Sequence, residues 1–377
     1  MRLLEYQGKE VLKSLGIVVP DSRVANTPEE AYEAAQELGG KVMIKVQIPT
    51  GGRGKAGGVK AAATPEEARE FAAKLLGAVI KGYQVKQVLV EKQIKVQKEL
   101  YMGITIDNRH GKRVFMFCEA GGMDIEQVVS KSPERLLKVE RGAKESLPEY
   151  QIRSILRQRG FSNKTLVGLS KIASALFEAF LKYDLSTCEI NPLCILEDGS
   201  LVAADAKVEI DDSALYRQKQ FQNKGMDTPD ELELRAKEIG VTYVKLDGEI
   251  GILASGAGLG MCCIDLLADE GLKPANFLET GGGITRELMA DAIELVVSNK
   301  KVKAILISLY GGVNSLLEAA IGIKNAKESM EKQIPIVVKA IGNQDVEAWE
   351  ILREAGIDIV ETFHTERAVQ LLKEKVS

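Results

Sequence analysis

Little in this 377-residue sequence would suit it to a bilayer, to nucleic acid or to an oxidising compartment. Its most apolar stretch, Ile252 to Ala268, is interrupted by glycines and by Asp265, so no segment reads as membrane-spanning. The opening Met1-Arg2-Leu3-Leu4-Glu5-Tyr6 lacks the long apolar core of a signal peptide. Basic excess is missing too. Fifty Lys and Arg face 54 Asp and Glu, a net charge of −4, whereas phosphate backbones call for a concentrated basic surface. The five cysteines (Cys118, Cys188, Cys194, Cys262, Cys263) are odd in number and lack metal-ligand spacing, which reads as buried thiols in a reducing, cytoplasmic compartment. What remains is 45% hydrophobic and 28% charged, the mix of a globular chain long enough for two or three domains.

Two architectures follow one another. Thr27-Pro28-Glu29-Glu30 and Thr64-Pro65-Glu66-Glu67 each combine a hydroxyl cap, a first-turn proline and a capping-box glutamate, so each opens a helix. Before them, Leu4, Val11, Leu12 and Leu15 suggest an amphipathic helix stopped at Gly16. Period-two runs at 41–46, 87–93, 100–107 and 113–118 read as strands, 149–182 as two helices, and 187–197 with 200–210 as a hairpin around Asp198-Gly199. The first half is thus α+β with antiparallel sheet. The polar stretch Ser213 to Asp230 reads as a connector. Beyond it, apolar runs at 250–254, 275–278, 302–309, 334–340 and 357–362 alternate with helical patterns, as in a parallel sheet covered on both faces. The boundaries drawn are 1–225, a connector at 226–245, and 246–377.

Between Lys45 and Lys60 lie five glycines and four cations, flanked by strand-like runs. Glycines let backbone amides approach an anion and the cations supply charge, so the segment reads as a phosphate-covering loop; a glycine-rich turn with solvated charges is the competing reading. No helix opening on Lys-Ser/Thr follows, so this is not the Walker pattern. Downstream, Glu189-Ile190-Asn191-Pro192 and Asp205-Ala206-Lys207 put oxygen donors of the kind magnesium prefers on adjoining strands. Pairing strictly about a two-residue turn sets Asn191 opposite Ala206 and Pro192 opposite Asp205. The two donors then fall on opposite faces unless a bulge at Pro192 repairs the register.

Several of these segments, in order, resemble the β-subunit family of succinyl-CoA synthetases, the ADP- or GDP-forming succinate–CoA ligases. They are Glu5-Tyr6-Gln7 with Lys9-Glu10, the Gly51–Lys60 loop, Lys98-Glu99-Leu100-Tyr101, Glu189-Ile190-Asn191-Pro192-Leu193, Ala204-Asp205-Ala206-Lys207 and Pro274-Ala275-Asn276-Phe277-Leu278. Gly281-Gly282-Gly283 and Gly311-Gly312 extend the likeness to essentially the whole chain. The resemblance implies an ATP-grasp domain of two lobes followed by a flavodoxin-like, doubly wound CoA-ligase domain. It implies nucleotide phosphates on Lys45, Gly52, Arg53 and Gly54, and base and ribose near Glu91, Ile94 and Glu99. Magnesium is implied on Asn191 and Asp205, and Glu189 would steady a phosphorylated histidine. Ser255, Gly312, Val313 and Asn314 would face the acid. ATP or GTP and CoA are the implied co-substrates, with CoA bound mainly by an α subunit.

Only two histidines are present, His110 and His364, and neither lies in a family motif. The reacting histidine is therefore expected on the α partner, making this chain half of an enzyme. Ser255-Gly256-Ala257-Gly258-Leu259-Gly260 imitates a dinucleotide fingerprint with the wrong glycine spacing, so NAD binding is not expected. Ser255, Glu279, Ser308, Tyr310, Lys339-Ala340-Ile341-Gly342 and Pro49 depart from the family's usual Asn, Asp, Asn, Phe, Arg-Leu-Glu-Gly and His. The nucleotide positions hold while the acid-facing loops vary, which leaves open another acid, such as malate or citrate. A non-catalytic nucleotide-binding subunit is the reading of another class.

Overall fold

The computed structural model describes residues 1–377 except Asp124, Ala143, Lys144, Ser146, 223–229 and Ser377. The chain divides into two compact units, Met1–Asp227 and Thr228–Ser377.

The first unit begins with α1 (Glu5–Ser14), β1 (Ser22–Ala25), α2 (Pro28–Glu37), β2 (Val42–Val46), β3 (Val59–Ala62) and α3 (Pro65–Leu75). The short β4 (Val79–Ile80) and β5 (Tyr83–Gln84) lead to β6 (Val88–Lys92), β7 (Val96–Asp107), β8 (Lys112–Cys118), α4 (Ile125–Lys131) and β9 (Leu137–Arg141). Two helices, α5 (Glu149–Gln158) and α6 (Asn163–Lys182), precede β10 (Leu185–Leu196), β11 (Leu201–Ala203) and β12 (Lys207–Ile210). One antiparallel sheet runs β1-β6-β2-β3, and another runs β11-β10-β7-β8-β9 with β12 also on β10. The first is covered by α2 and α3, whose Thr27 and Thr64 caps accept from Glu30 and Glu67 amides as the sequence requires. Those helices bury alanines (Ala31, Ala34, Ala35, Ala68, Ala72), which lets them lie close to the sheet.

The second sheet's core takes Val11 and Leu12 from α1, together with Leu169, Leu176 and Phe177 from α6. Within α1, Gly8 makes the close approach possible. A Cβ there would stand 3.2 Å from Ala206 Cβ and 3.3 Å from a Val208 methyl. Helix α1 is thus rooted in one sheet while its Glu5 and Lys9 reach Lys45 of β2 and Glu91 of β6 in the other.

The second unit holds α7 (Glu231–Ile239), β13 (Thr242–Lys245), β14 (Ile250–Ala254), α8 (Ala257–Asp269), β15 (Asn276–Glu279) and α9 (Arg286–Ser298). It continues with β16 (Ala304–Gly311), α10 (Leu316–Ser329), β17 (Ile336–Gly342), α11 (Asp345–Glu354), β18 (Asp358–Val360) and α12 (Thr365–Val376). The order is β13-β15-β14-β16-β17-β18, parallel except for β13. Two apolar layers cover it, one with α8 and α12 and the other with α9, α10 and α11, which is the doubly wound arrangement.

The expected connector needs correction. Residues 231–245 contain α7 and β13, and β13 pairs antiparallel with β15, so the segment belongs to the second unit and its strand to that unit's sheet. Only Tyr243 of that strand is buried, which is why so short and polar an edge strand carried no alternating signal. Residues 223–229 of the connector lie outside the described residues.

Candidate functional site

The glycine loop leaves β2 and returns along β3, as the alternation of strand and loop predicted. It is tied by its own backbone: the Gly58 amide donates to Arg53 O (2.8 Å) and the Gly57 amide to Gly54 O (3.1 Å). Lys81 Nζ reaches over to Gly51 O at 2.7 Å. Gly52 and Gly54 are exposed, whereas Arg53 is buried and points inward.

Arg53 Nη2 meets both oxygens of Asp205, at 2.8 and 3.0 Å, and Nη1 meets Glu5 Oε2 at 2.7 Å. Lys45 Nζ donates to Glu91 Oε1 (2.6 Å), Glu5 Oε1 (3.1 Å) and the Ala204 carbonyl (2.8 Å). Burial alone would push the Glu5 carboxyl up, but Lys45, Lys9 and Arg53 together hold it well below the usual range. Burial likewise works against a charged Lys45, and Glu5 and Glu91 outweigh it, so its pKa is raised. The cations are held charged, which is the condition for meeting phosphate.

Across this cleft lies the hairpin β10–β11. Its turn is one residue longer than two-residue pairing assumed. The Leu196 amide donates to Ser200 O, the Gly199 amide to Leu196 O, and Gly199 adopts φ 76°. That correction moves the register by one. Leu193 faces Ala203 and Glu189 faces Lys207, so the ladders on either side put Asn191 across from Asp205, on one face without help from a bulge. A register break does occur at Asn191-Pro192, but against β7.

Asn191, Asp205, Glu189, Gly52 and Arg53 all border one cavity of about 110 Å³. Asn191 Oδ1 accepts from the Gly122 amide at 2.8 Å, and its Nδ2 donates to Met123 O at 2.9 Å, which fixes the side chain. Among the described residues no cluster of three or more His, Cys, Asp or Glu forms a metal cage. An amide oxygen and a carboxylate suit magnesium, which keeps its other positions for water and phosphate oxygens. Glu189 also borders a second cavity, of about 500 Å³, with Tyr101, Lys138 and Lys207. Burial pushes its carboxyl up; Lys207 pulls it back and Asp205 adds to the rise.

Glu91 is placed differently from the expectation of a base or ribose contact. It is 3% exposed, and its two oxygens go to Lys45 and Lys9, so it holds cations. Ile94 is half-buried in the link between β6 and β7, and Glu99 is exposed on β7. Glu5 and Lys9, which motif reading named without a role, are integral to the cleft. Only their burial and cross-sheet pairing reveal it.

In the second unit, loops follow the C-terminal ends of β14, β15 and β16. Ser255 Oγ accepts from the Tyr310 amide at 2.8 Å, and Val313 is 93% exposed beside the exposed Gly312. The Asn314 side chain is committed within the protein. Its Oδ1 accepts from the Gly283 and Ile284 amides (2.7 and 3.3 Å) and its Nδ2 donates to Gly281 O (3.3 Å), clamping two glycine loops together. His110 Nδ1 contacts Asp107 Oδ2 at 2.7 Å in the exposed β7–β8 turn, and His364 is exposed before α12. The five cysteines form no disulfide, and among the described residues no helix is long and apolar enough to cross a membrane.

Comparison with known proteins agrees with this architecture. Residues 2–195 match an ATP-grasp domain family and residues 253–372 a CoA-ligase family. The β subunit 2 of ADP-forming succinate–CoA ligase from Archaeoglobus fulgidus is 40% identical over 99% of this chain and all of that one. The corresponding β subunit of Rubrobacter xylanophilus is 39% identical over 99% of each chain. In fold, the chain is similar to ATP citrate lyase from Methanothrix soehngenii, solved with citrate and coenzyme A, at a TM-score of 0.79, with 20% identity and 99% of each chain covered. Buried cations facing an amide–carboxylate pair, joined in sequence to a doubly wound CoA-ligase unit, thus come with full-length relatives of one kind: the chain belongs to the family of succinate–CoA ligase β subunits.

Proposed function

We propose that this chain is the β subunit of an acid–CoA ligase that joins succinate to CoA at the expense of ATP or GTP, acting with an α subunit that carries a phosphorylated histidine. The observation that carries this reading is the single cavity bordered by Arg53, Asn191, Asp205 and Glu5, with the charged Lys45 paired to that Glu5. Lys45, Arg53 and the amides around Gly52 and Gly54 bind the nucleotide phosphates and withdraw charge from the transferred group. Asn191 and Asp205 hold magnesium, which supplies charge neutralisation at the phosphates when bound. Glu189, at the border of both cavities, accepts a hydrogen bond from the partner's imidazole and holds its other nitrogen toward phosphorus.

The exposed positions of His110 and His364 support a nucleophile on the partner. Five unpaired cysteines suit a cytoplasmic setting. The same chemistry with another carboxylic acid is the second reading, favoured by Ser255, whose hydroxyl is engaged with the Tyr310 backbone. Co-expression with the α subunit and assay of nucleoside diphosphate formation, from ATP and from GTP, with CoA against mono-, di- and tricarboxylic acids tests both. Succinate-dependent diphosphate release is expected. Release only with another acid selects the second reading, and release with none removes the ligase assignment.

A further inference from the structure

Lys9 is more enclosed than the cations assigned to phosphate: it is 2% exposed, against 9% for Lys45 and 8% for Arg53. Its ammonium meets the same acceptors as Lys45. It donates to Glu5 Oε1 at 2.7 Å, to the Ala204 carbonyl at 2.9 Å, and to the second oxygen of Glu91. Two ammoniums on one set of acceptors repel each other, so duplication needs a reason.

The reason lies in what each cation can do. Lys45 lies one residue from the end of β2 and Arg53 rides on the glycine loop that borders the cavity, whereas Lys9 belongs to α1, whose Val11 and Leu12 are fixed in the second sheet's core. When Lys45 and Arg53 turn to phosphate, Glu5 and Glu91 lose cations in a site that water cannot rescue, and a buried carboxylate left alone is costly. We propose that Lys9 is a positioning residue, a resident counter-ion that leaves Glu5 and Glu91 one positive charge to share while Lys45 and Arg53 are lent to a bound nucleotide. The proposal rests on the nucleotide-binding reading of this cleft. The charged and titratable groups around the two carboxylates are Lys9 of α1, Lys45 of β2, Arg53 of the loop, Asp205 between β11 and β12, and the Cys194 thiol of β10, with Glu99 of β7 beyond it.

Without Lys9, nucleotide binding must bring in a proton to replace the missing charge. The test is calorimetric titration of the assembled αβ complex with Mg-ADP in two buffers of different ionisation enthalpy. The wild type is expected to bind without proton uptake near pH 7.5. Lys9→Met is expected to bind about tenfold more weakly there, to take up about one proton per ADP, and to recover affinity toward about pH 5.5. Lys9→Arg is expected to restore both affinity and the absence of uptake. Wild-type affinity in Lys9→Met, or a loss that is independent of pH and unaccompanied by a proton, overturns the proposal. Should Lys9→Met assemble poorly near pH 7.5, assembly must recover near pH 5.5, and failure there also overturns it. A wild-type complex that does not bind Mg-ADP at all is a separate result: it removes the cleft's assignment, and this proposal with it.

Discussion

The two units hold their polar groups in place with different materials. In the first, charged side chains are buried against one another. Lys9, Lys45 and Arg53 face Glu5, Glu91 and Asp205, and the backbone mostly frames them. In the second, the ends of parallel strands carry glycine loops whose side chains, Asn314 and Ser255, are spent on holding backbone amides in place. Buried ion networks are poor sources of stability but strict about geometry, since removing one member strands another. Clamped loops hold their donors in place without net charge. One unit is therefore sensitive to charge and the other to loop shape.

The largest effect that would sharpen this contrast is expected from Arg53→Met. It removes the cation from Glu5 Oε2 and from both oxygens of Asp205, leaving Glu5 Oε2 the Gln47 amide and Asp205 Oδ1 the Ala206 amide, so Mg-ADP affinity measured by calorimetry should fall about 100-fold or more, and urea unfolding should show a loss of about 3 kcal/mol. An Arg53→Met protein of wild-type stability would mean the network is not buried as described. Next comes Asn314→Ala, which orphans the Gly283 and Ile284 amides and should cost the second unit about 2 kcal/mol in chemical denaturation. A milder break is Gly8→Ala. Its Cβ must displace Ala206 and Val208, so a loss of about 1–2 kcal/mol in thermal unfolding is expected, with α1 and its Glu5 and Lys9 shifted from the cleft.

The smallest effect has the opposite sign. Because burial raises the Glu189 pKa above its usual 4.5, folding favours the neutral form, and the ionised form costs stability as pH rises through the elevated value. Glu189→Gln should therefore stabilise the protein at about pH 7 by on the order of 1 kcal/mol, and by less at about pH 4, as read by melting temperature at the two pH values. Equal gains at both would remove the electrostatic account.

Local chemistry was readable where it is self-contained. The Thr-Pro-Glu-Glu helix starts, the strand–loop–strand around Arg53 and the apolar runs of β14, β16 and β17 all declare themselves over a few residues. Four things did not. The turn at Asp198-Gly199 has one more residue than its dipeptide suggests, and a period of two turns that single residue into a change of face. Strand β13 is too short and exposed to show alternation. Asn314 looked available to substrate because its clamp is made with Gly281, Gly283 and Ile284 on another loop. Lys9 and Glu91 meet across two sheets, and Glu91 looked like a ribose or base contact until its partners were visible. Pairing between distant segments is tertiary information that no local pattern holds.

The three residues Glu197, Asp198 and Gly199 between paired Leu196 and Ser200 also govern how this site can vary. Replacing any of them leaves the strands aligned, provided Gly199's left-handed conformation is tolerated. Deleting one would slide β11 and β12 along β10 and rotate Asp205 to the side opposite Asn191. It is the length of that connection, more than its composition, that natural variation must preserve.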